Sequence, residues 1–421
     1  MRRVLVFLAV LVMAPGMMLG PAARDGVSAQ APVKVGVLLP LSGNAGAAGQ
    51  ASKAAIEVGA QVVNEAHPEM PALPLAAGAG LPRLGGARIQ LVFADHQGNP
   101  SIGQSEALRL ITQEHVVALQ GAYQSSVTFA ATTVAERNEI PWMVGDSSSP
   151  KITGRGFKWV FRTTPIGPDF AAAYAGFLAD VNKMGHPVKT VAIVNENTEY
   201  GTSVGGGIHE RMTKDGYQVV AQIPYNANGT DVSAEVLQLK EKNPDVVIFV
   251  SYTSDSILYM KTFKTLSYQP KMVIGDDSGF SDPSFVQSVG TIAQGAINRS
   301  AWSIGRPGSA TYRINEMYKA KTGRDLDDTS GRNMQGFLVL ADAVNRAGST
   351  APEAIRKALA ETNLAPRQLM MGYKGVRFDA TGQNILASTY ITQLVGRDYV
   401  TIWPASAAQH ALDWPFKGSQ Q

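Results

Sequence analysis

Short apolar runs rich in β-branched residues alternate with longer helical patterns along almost the whole chain. In the first half, such runs occupy residues 33–39, 88–94, 116–121 and 140–145, and amphipathic segments separate them. Strands joined by helices of this length pair in parallel, and helices then cover both faces of the sheet. The alternation therefore predicts an α/β fold built on parallel sheet.

The alternation breaks at residues 157–168 and then begins again. A second series of strand-like runs lies at residues 190–194, 218–224, 245–250 and 271–275. Helical patterns fill residues 310–361, and two apparent strands at 390–395 and 399–403 follow. Because 421 residues are enough for two or three domains, two parallel-sheet lobes are predicted.

Residues 67–87 fit neither regular pattern, because proline and glycine recur throughout the segment. Long loops of this kind are uncommon and are either functional or disordered. We interpret the segment as a mobile surface insertion, and the alternative is a lid over a ligand.

The first residues have the pattern of a secretory signal. Arg2 and Arg3 precede a short apolar stretch at residues 4–13, and the small residues Val27-Ser28-Ala29 end at the expected cleavage point. The apolar stretch is too short to span a bilayer, although an N-terminal membrane anchor is the alternative. Residues 1–29 are therefore predicted to be a signal peptide cleaved near Ala29, and the mature protein to be periplasmic.

Composition excludes several kinds of chemistry. The chain has no cysteine, which rules out disulfides, thiolate metal sites, cysteine nucleophiles and a lipid on an N-terminal cysteine. Its six histidines include no His-Glu-x-x-His pair, so no metal and no cofactor is predicted. The formal net charge is only +3, and the signal segment carries part of it, so no nucleic-acid partner is expected.

Residues 201–205 read Gly-Thr-Ser-Val-Gly and match the Gly-x-Ser-x-Gly pattern of serine hydrolases. A nucleophile elbow requires a strand that runs straight into a strained turn. Here residues 195–200 separate the motif from the predicted strand. A secreted hydrolase that uses Ser203 therefore remains only as the alternative of another functional class.

Polar residues follow the ends of predicted strands in the first half. Ser125 and Ser126 stand where one strand passes into a helix, and Ser147 and Ser148 follow the next strand. Free N–H groups at a helix start, with hydroxyls beside them, form an anion site without metal or arginine. The other interpretation is plain helix capping, because serine caps helices anywhere.

The second half has complementary groups at the ends of its own strands. Tyr200, Tyr252 and the pair Asp276-Asp277 each follow a predicted strand, so they would share one edge of the second sheet. Serines on one lobe and rings with a carboxylate on the other suit a zwitterion held between two lobes.

The order of these motifs resembles the type I periplasmic solute-binding proteins of the branched-chain amino acid (leucine/isoleucine/valine) ABC transporter family. The matching pieces are residues 35–43, 93–100, 121–126, 146–153, 161–165, 192–201 and 245–252. The resemblance implies two lobes joined by a three-crossing hinge, no catalysis, a small-molecule ligand and a membrane permease as partner. By this resemblance, lobe 1 comprises residues 30–164 and 302–378, and lobe 2 comprises residues 165–301 and 379–421.

The resemblance also implies a set of ligand-binding residues. They are Ser125, Ser126, Ser147, Ser148, Tyr200, Tyr252 and Asp277. The serines would meet the carboxylate of an amino acid or a related amino or amide compound, the tyrosines would cover it, and Asp277 would pair with its ammonium group.

Four departures from the family pattern leave the ligand open. Asp277 stands where the family usually has glutamate, and its neighbour Asp276 could serve instead. Ala48 falls where relatives often place an aromatic ring, Asp146 puts a negative charge beside the proposed carboxylate site, and the insertion at residues 67–87 is longer than usual. A carboxylate without an ammonium group, such as an aromatic acid, is therefore the alternative ligand.

Overall fold

The computed structural model describes residues 1, 5, 30–276 and 278–418. The expected cleavage point at Ala29 and the candidate ligand residue Asp277 lie outside the described residues.

The first sheet consists of five parallel strands. In chain order they are β1 (Val33–Leu39), β2 (Ile89–Asp95), β3 (Ala118–Gly121), β4 (Trp142–Val144) and β5 (Val160–Arg162). Their spatial order is β2-β1-β3-β4-β5. Every residue of β1 except Lys34 is buried, as expected for a parallel sheet that is covered on both faces.

The second sheet has the same strand order in its parallel part and carries two additional antiparallel strands. Its strands include β6 (Thr190–Glu196), β7 (Gln218–Tyr225), β8 (Val246–Val250), β9 (Met272–Asp276) and β10 (Ile297–Ser300). A short separate pair, β11 (Asn363–Leu364) and β12 (Val376–Arg377), precedes the antiparallel additions β13 (Tyr390–Val395) and β14 (Asp398–Trp403). The spatial order is β14-β13-β10-β9-β8-β6-β7.

Helices cover both sheets. In chain order they are α1 (Gly46–Asn64), α2 (Pro100–Thr112), α3 (Ser125–Arg137), α4 (Gly167–Lys183), α5 (Glu199–Lys214), α6 (Ser233–Lys242), α7 (Thr253–Thr265), α8 (Ser278–Ser281), α9 (Pro283–Val289), α10 (Ala310–Thr322), α11 (Asp328–Ala347) and α12 (Pro352–Ala360). Helix α11 begins at a capping box, in which Asp327 accepts from the N–H of Ser330 and Ser330 Oγ accepts from the N–H of Asp327. It packs on α1 and is buried along most of its length.

The chain passes between the two sheets three times, at residues 163–166, 301–309 and 378–389. Helices α10 to α12 return to the first sheet, where their apolar side chains join the same core as β1. Helix α4 packs instead with the strands of the second sheet. The predicted α/β fold with two parallel-sheet lobes is confirmed.

The prediction of a mobile surface insertion at residues 67–87 is wrong. Met70, Leu73, Ala76 and Leu81 are buried in the core of the first lobe together with α1 and α11. Buried apolar side chains anchor the segment, although proline and glycine prevent regular structure. None of its residues lines the cleft between the lobes.

Four short strands were not predicted from the sequence: β5 and β10 of the two large sheets, and the separate pair β11 and β12. Residues 157–168 were interpreted as a break, but they contain β5, and β10 lies in a stretch that carried no strand prediction. Each of the four has only two to four residues, which is too few for a periodic pattern to show. Within the described residues, no helix has the length and apolarity needed to cross a membrane.

Candidate functional site

The two lobes meet at corresponding points of their sheets. In each sheet the strand order reverses beside the first strand, between β1 and β3 and between β6 and β8. Open α/β sheets bind ligands at such points, beyond the carboxyl ends of the strands. Residues that follow β1, β3, β6 and β8 line a single cleft, which has a volume of about 480 Å³.

Ser125 and Ser126 stand at the start of α3, as the sequence predicts. Ser126 lines the cleft, whereas Ser125 is buried and its Oγ accepts a hydrogen bond of 3.3 Å from the N–H of Ser149. The first turn of α3 therefore presents its free N–H groups at the edge of the cleft.

Ser147 and Ser148 lie in the loop after β4, and both are buried. Ser147 Oγ lies 2.6 Å from Thr128 Oγ1 and donates to the carbonyl of Tyr123 at 2.8 Å. The carbonyl of Ser148 accepts from the N–H of Gly167. The Ser147 hydroxyl thus holds this loop against α3, and contact of either serine with a ligand stays a prediction.

Arg162 supports the loop from behind. Its Nη1 donates to the carbonyls of Ser147 (3.0 Å) and Ser149 (2.7 Å), and its Nε and Nη2 donate to Gln383 and Thr153. Burial lowers the pKa of Arg162 to about 9, which leaves it charged at neutral pH. The guanidinium therefore fixes the loop and places a positive charge behind the proposed carboxylate site.

Three tyrosines form a row that runs from the first lobe into the second; Tyr123 and Tyr252 line the cleft, whereas Tyr200 is buried behind Tyr252 and is not part of the lining. The rings of Tyr123 and Tyr252 lie 5.9 Å apart, and those of Tyr252 and Tyr200 lie 5.5 Å apart. Tyr123 belongs to the first lobe and has a φ of 87°, which is rare for a bulky residue and often marks a functional position. Burial raises the pKa of Tyr252 well above its usual value.

Asp276 is occupied by groups of its own lobe. Its side chain is 0% exposed, and its carboxylate accepts hydrogen bonds from the hydroxyls of Tyr174 and Tyr200 and from Arg299 Nε. Because both oxygens are engaged, Asp276 positions Tyr200 instead of serving as the ligand's acid.

Asp276 also ends a chain of buried charges that joins the two lobes, which we call the buried ion chain. Arg299 Nε lies 2.9 Å from Asp276 and Arg299 Nη1 lies 3.9 Å from Asp328. Arg332 Nε lies 3.1 Å from Asp328 and its Nη2 lies 2.6 Å from Asp146. The negative charge of Asp146, which the sequence alone places beside the carboxylate site, is therefore balanced by Arg332.

Two polar contacts join the lobes near Glu199. Ser149 Oγ of the first lobe donates to Glu199 Oε1 of the second at 2.8 Å, and Lys151 Nζ lies 3.3 Å from Glu199 Oε2. Together with the contact of Tyr123 and Tyr252, these bonds link the two lobes directly.

Ser203 lies inside α5, where its Oγ donates to the carbonyl of Glu199 one turn earlier. The Gly-x-Ser-x-Gly match is thus part of a helix and not a strained turn after a strand. Ser203 therefore lacks the nucleophile elbow that the hydrolase alternative requires.

His96 is buried beside the cleft wall. Its Nδ1 accepts from the N–H of Gly98 at 3.0 Å, so its Nε2 carries the proton and donates to the carbonyl of Ala122 at 2.8 Å. Burial lowers the pKa of His96 from 6.5 to about 4. The neutral ring therefore ties the loop after β2 to the loop after β3.

The free energy of unfolding should fall as the pH is lowered from 7 to 5. The unfolded chain protonates this imidazole near pH 6.5 and the folded chain only near pH 4, so the unfolded state binds more protons in between. His96 then contributes a loss of about 2 kcal/mol at pH 5. Urea denaturation of the wild type and His96→Gln at both pH values measures this, and an equal pH dependence in the two proteins would contradict it.

Some residues of the site escaped the sequence analysis. Tyr123 and Arg162 lie within the motifs on which the family resemblance rests, so their place in the sequence could have marked them as site residues. Arg332, and Asp282, which lines the cleft from the second lobe, belong to no recognised motif. In the part of the chain that the structure describes, no group of three or more His, Cys, Asp or Glu side chains is placed to hold a metal ion.

Comparison with known proteins decides the family. A sequence profile described as "Periplasmic binding protein" matches residues 32–398. The chain belongs to the periplasmic binding protein family. It is therefore a solute-binding protein of the ABC transporter type, not an enzyme, and the family acts outside the cytoplasm.

Relatives and solved structures agree with this membership. The Leu/Ile/Val-binding protein homolog 8 of Brucella abortus is 31% identical over 411 residues, which cover 93% of this chain and 96% of that protein. The leucine-binding protein LivK of Thermotoga maritima has a TM-score of 0.75 at 22% identity and covers 88% of this chain and 97% of its own. A solute-binding protein from R. palustris in complex with benzoate has a TM-score of 0.75 at 18% identity, with 91% and 99% covered.

Proposed function

We propose that this periplasmic binding protein carries an amino acid, or a related small amino- or amide-bearing compound, to the membrane permease of an ABC importer. The observation that carries the proposal is the division of groups across the cleft. One wall has Ser126 and the free N–H groups of α3, next to the serine loop that Arg162 supports, and the other has Tyr252 and the carboxylate of Asp282. A zwitterion needs hydrogen-bond donors for its carboxylate on one side and acceptors for its ammonium group on the other.

In this proposal the ligand-binding residues are Ser125, Ser126, Ser147, Ser148, Tyr200, Tyr252 and Asp277. The serines and the N–H groups would take the carboxylate, and the tyrosine rings would cover the ligand. Asp277 would pair with the ammonium group. We also propose that residues 1–29 direct export and are removed near Ala29.

An aromatic carboxylate without an ammonium group is the second candidate. The row of three tyrosines favours it, and the R. palustris neighbour holds benzoate. A thermal-shift screen against amino acids, amides, ureas and aromatic acids separates the candidates. A ligand at 100 times its dissociation constant adds roughly 2.7 kcal/mol to the stability, which the melting temperature reports.

Ligand should draw the two lobes together. We propose a hinge at the three crossings, with lobe boundaries near Thr164, Ala301 and Phe378. Small-angle scattering of the ligand-free and ligand-saturated protein should then give a smaller radius of gyration with ligand. An unchanged radius at saturation would rule out closure of a two-lobe trap.

A further inference from the structure

The wall of the cleft carries several amide side chains besides the groups that an amino acid head group requires. Besides the tyrosines and serines it presents Asn44, Gln97 and Asn228, and its aliphatic part consists of alanines and Ile257. An apolar side chain enclosed here would strip water from amide groups and return no hydrogen bonds, which costs free energy for each group. A ligand whose far end donates hydrogen bonds would satisfy these amide groups better than an apolar side chain would.

Gln124 is an acceptor that the protein itself leaves unused. The residue is 9% exposed and lines the cleft. Its Oε1 is buried and accepts no hydrogen bond from any described residue. A buried amide oxygen without a partner is uncommon in a native structure and calls for a donor.

Asp282 is a second acceptor on the opposite lobe. It is 5% exposed, and it is the only charged side chain among the described residues that line the cleft. Both of its hydrogen bonds, from the N–H and Oγ of Ser284, use Oδ1. Among the described residues Oδ2 has no partner, so it can accept from a ligand.

Two buried carboxyl groups, those of Glu196 and Asp255, lie behind this wall and contact its lining residues Thr198 and Asn228. Glu196 is bonded to Thr198 and the N–H of Gly201, and Asp255 to Tyr225, Ser254 and a backbone N–H. No Lys or Arg in the described part of the chain pairs with either, and burial raises the pKa of both carboxyls. A positive or hydrogen-bond-donating group would be stabilised here, and a second carboxylate would be repelled.

We propose that Gln124 and Asp282 form an acceptor face that selects ligands with a second nitrogen-bearing donor group, an amine or an amide, besides the amino acid head. This inference rests on the proposed function and narrows its ligand class. It predicts that lysine and glutamine bind more tightly than norleucine and glutamate, from which they differ at the far end of the side chain.

Calorimetry on the ligand-stripped full chain tests the proposal with those four amino acids and with alanine, which has only the head group. Asp282→Asn should weaken lysine about ten- to a hundredfold, because a hydrogen bond to a charged group is lost, and should leave alanine within about threefold. Asparagine is also a good N-cap, so α9 is preserved. Asp231→Asn is the matched control, because Asp231 holds the N–H and Oγ of Ser233 in the same way and does not line the cleft.

The possible results distinguish a failure of the acceptor face from a failure of the proposed function. Norleucine or glutamate that binds as tightly as lysine and glutamine would overturn the acceptor face alone. An equal loss of lysine and alanine in Asp282→Asn would assign Asp282 to the head group and also overturn it. Failure of all the amino acids to bind, with binding of an aromatic acid, would overturn the proposed function itself.

Discussion

Replacement of Arg332 by methionine is expected to lower the free energy of unfolding by about 3 to 5 kcal/mol. The Arg332 side chain is buried between Asp146, 2.6 Å away, and Asp328, 3.1 Å away. Methionine fills much of the same volume, but it leaves the buried carboxylate of Asp146 without this counterion and leaves Asp328 with Arg299, whose Nη1 is 3.9 Å away. Urea denaturation of the ligand-free protein measures the loss.

Lys183→Ala is the control for Arg332→Met. Lys183 also forms an ion pair, with Asp180 at 2.8 Å, but this pair is exposed on the surface of α4. Water and salt screen such a pair, so its removal should leave the denaturation midpoint almost unchanged. If Arg332→Met unfolds at the same urea concentration as the wild type, the buried ion chain does not stabilise the fold.

The second large effect is expected at Asp277. Enclosing an ammonium group removes its water, and a carboxylate must replace the lost contacts. Loss of one partner of such a pair typically costs about 2 to 5 kcal/mol. Asp277→Ala should therefore weaken an amino acid ligand by roughly thirtyfold to a few thousandfold, as measured by calorimetry.

Two other aspartates serve as references for Asp277. Asp398, exposed on the edge strand β14, should tolerate alanine without change in affinity. Asp276→Ala, in contrast, should destabilise the fold, because Arg299 would lose its 2.9 Å partner. Unchanged affinity in Asp277→Ala would remove the ammonium pairing and favour the plain carboxylate ligand.

The sequence alone predicted the α/β architecture with two parallel-sheet lobes. Parallel strands and their helices are local patterns, because the spacing of apolar residues depends only on neighbours along the chain. The ends of strands follow from the same patterns, so Ser126 and Tyr252 could be assigned to one edge of each sheet, and both line the cleft. The very short strands β5 and β10 carry too few residues for this signal.

Only the tertiary structure decided which charges are paired and which acceptors are free. Arg332 and Asp146 are 186 residues apart in the sequence, and no local pattern links them. The same holds for Gln124 and Asp282, which line the same cleft only because the two lobes meet. The packing of residues 67–87 on the core was equally invisible, since burial depends on the elements that surround a segment and not on its own proline and glycine content. Strand and helix periodicity is a local property of the chain, whereas ion pairing and burial are set by contacts between distant segments.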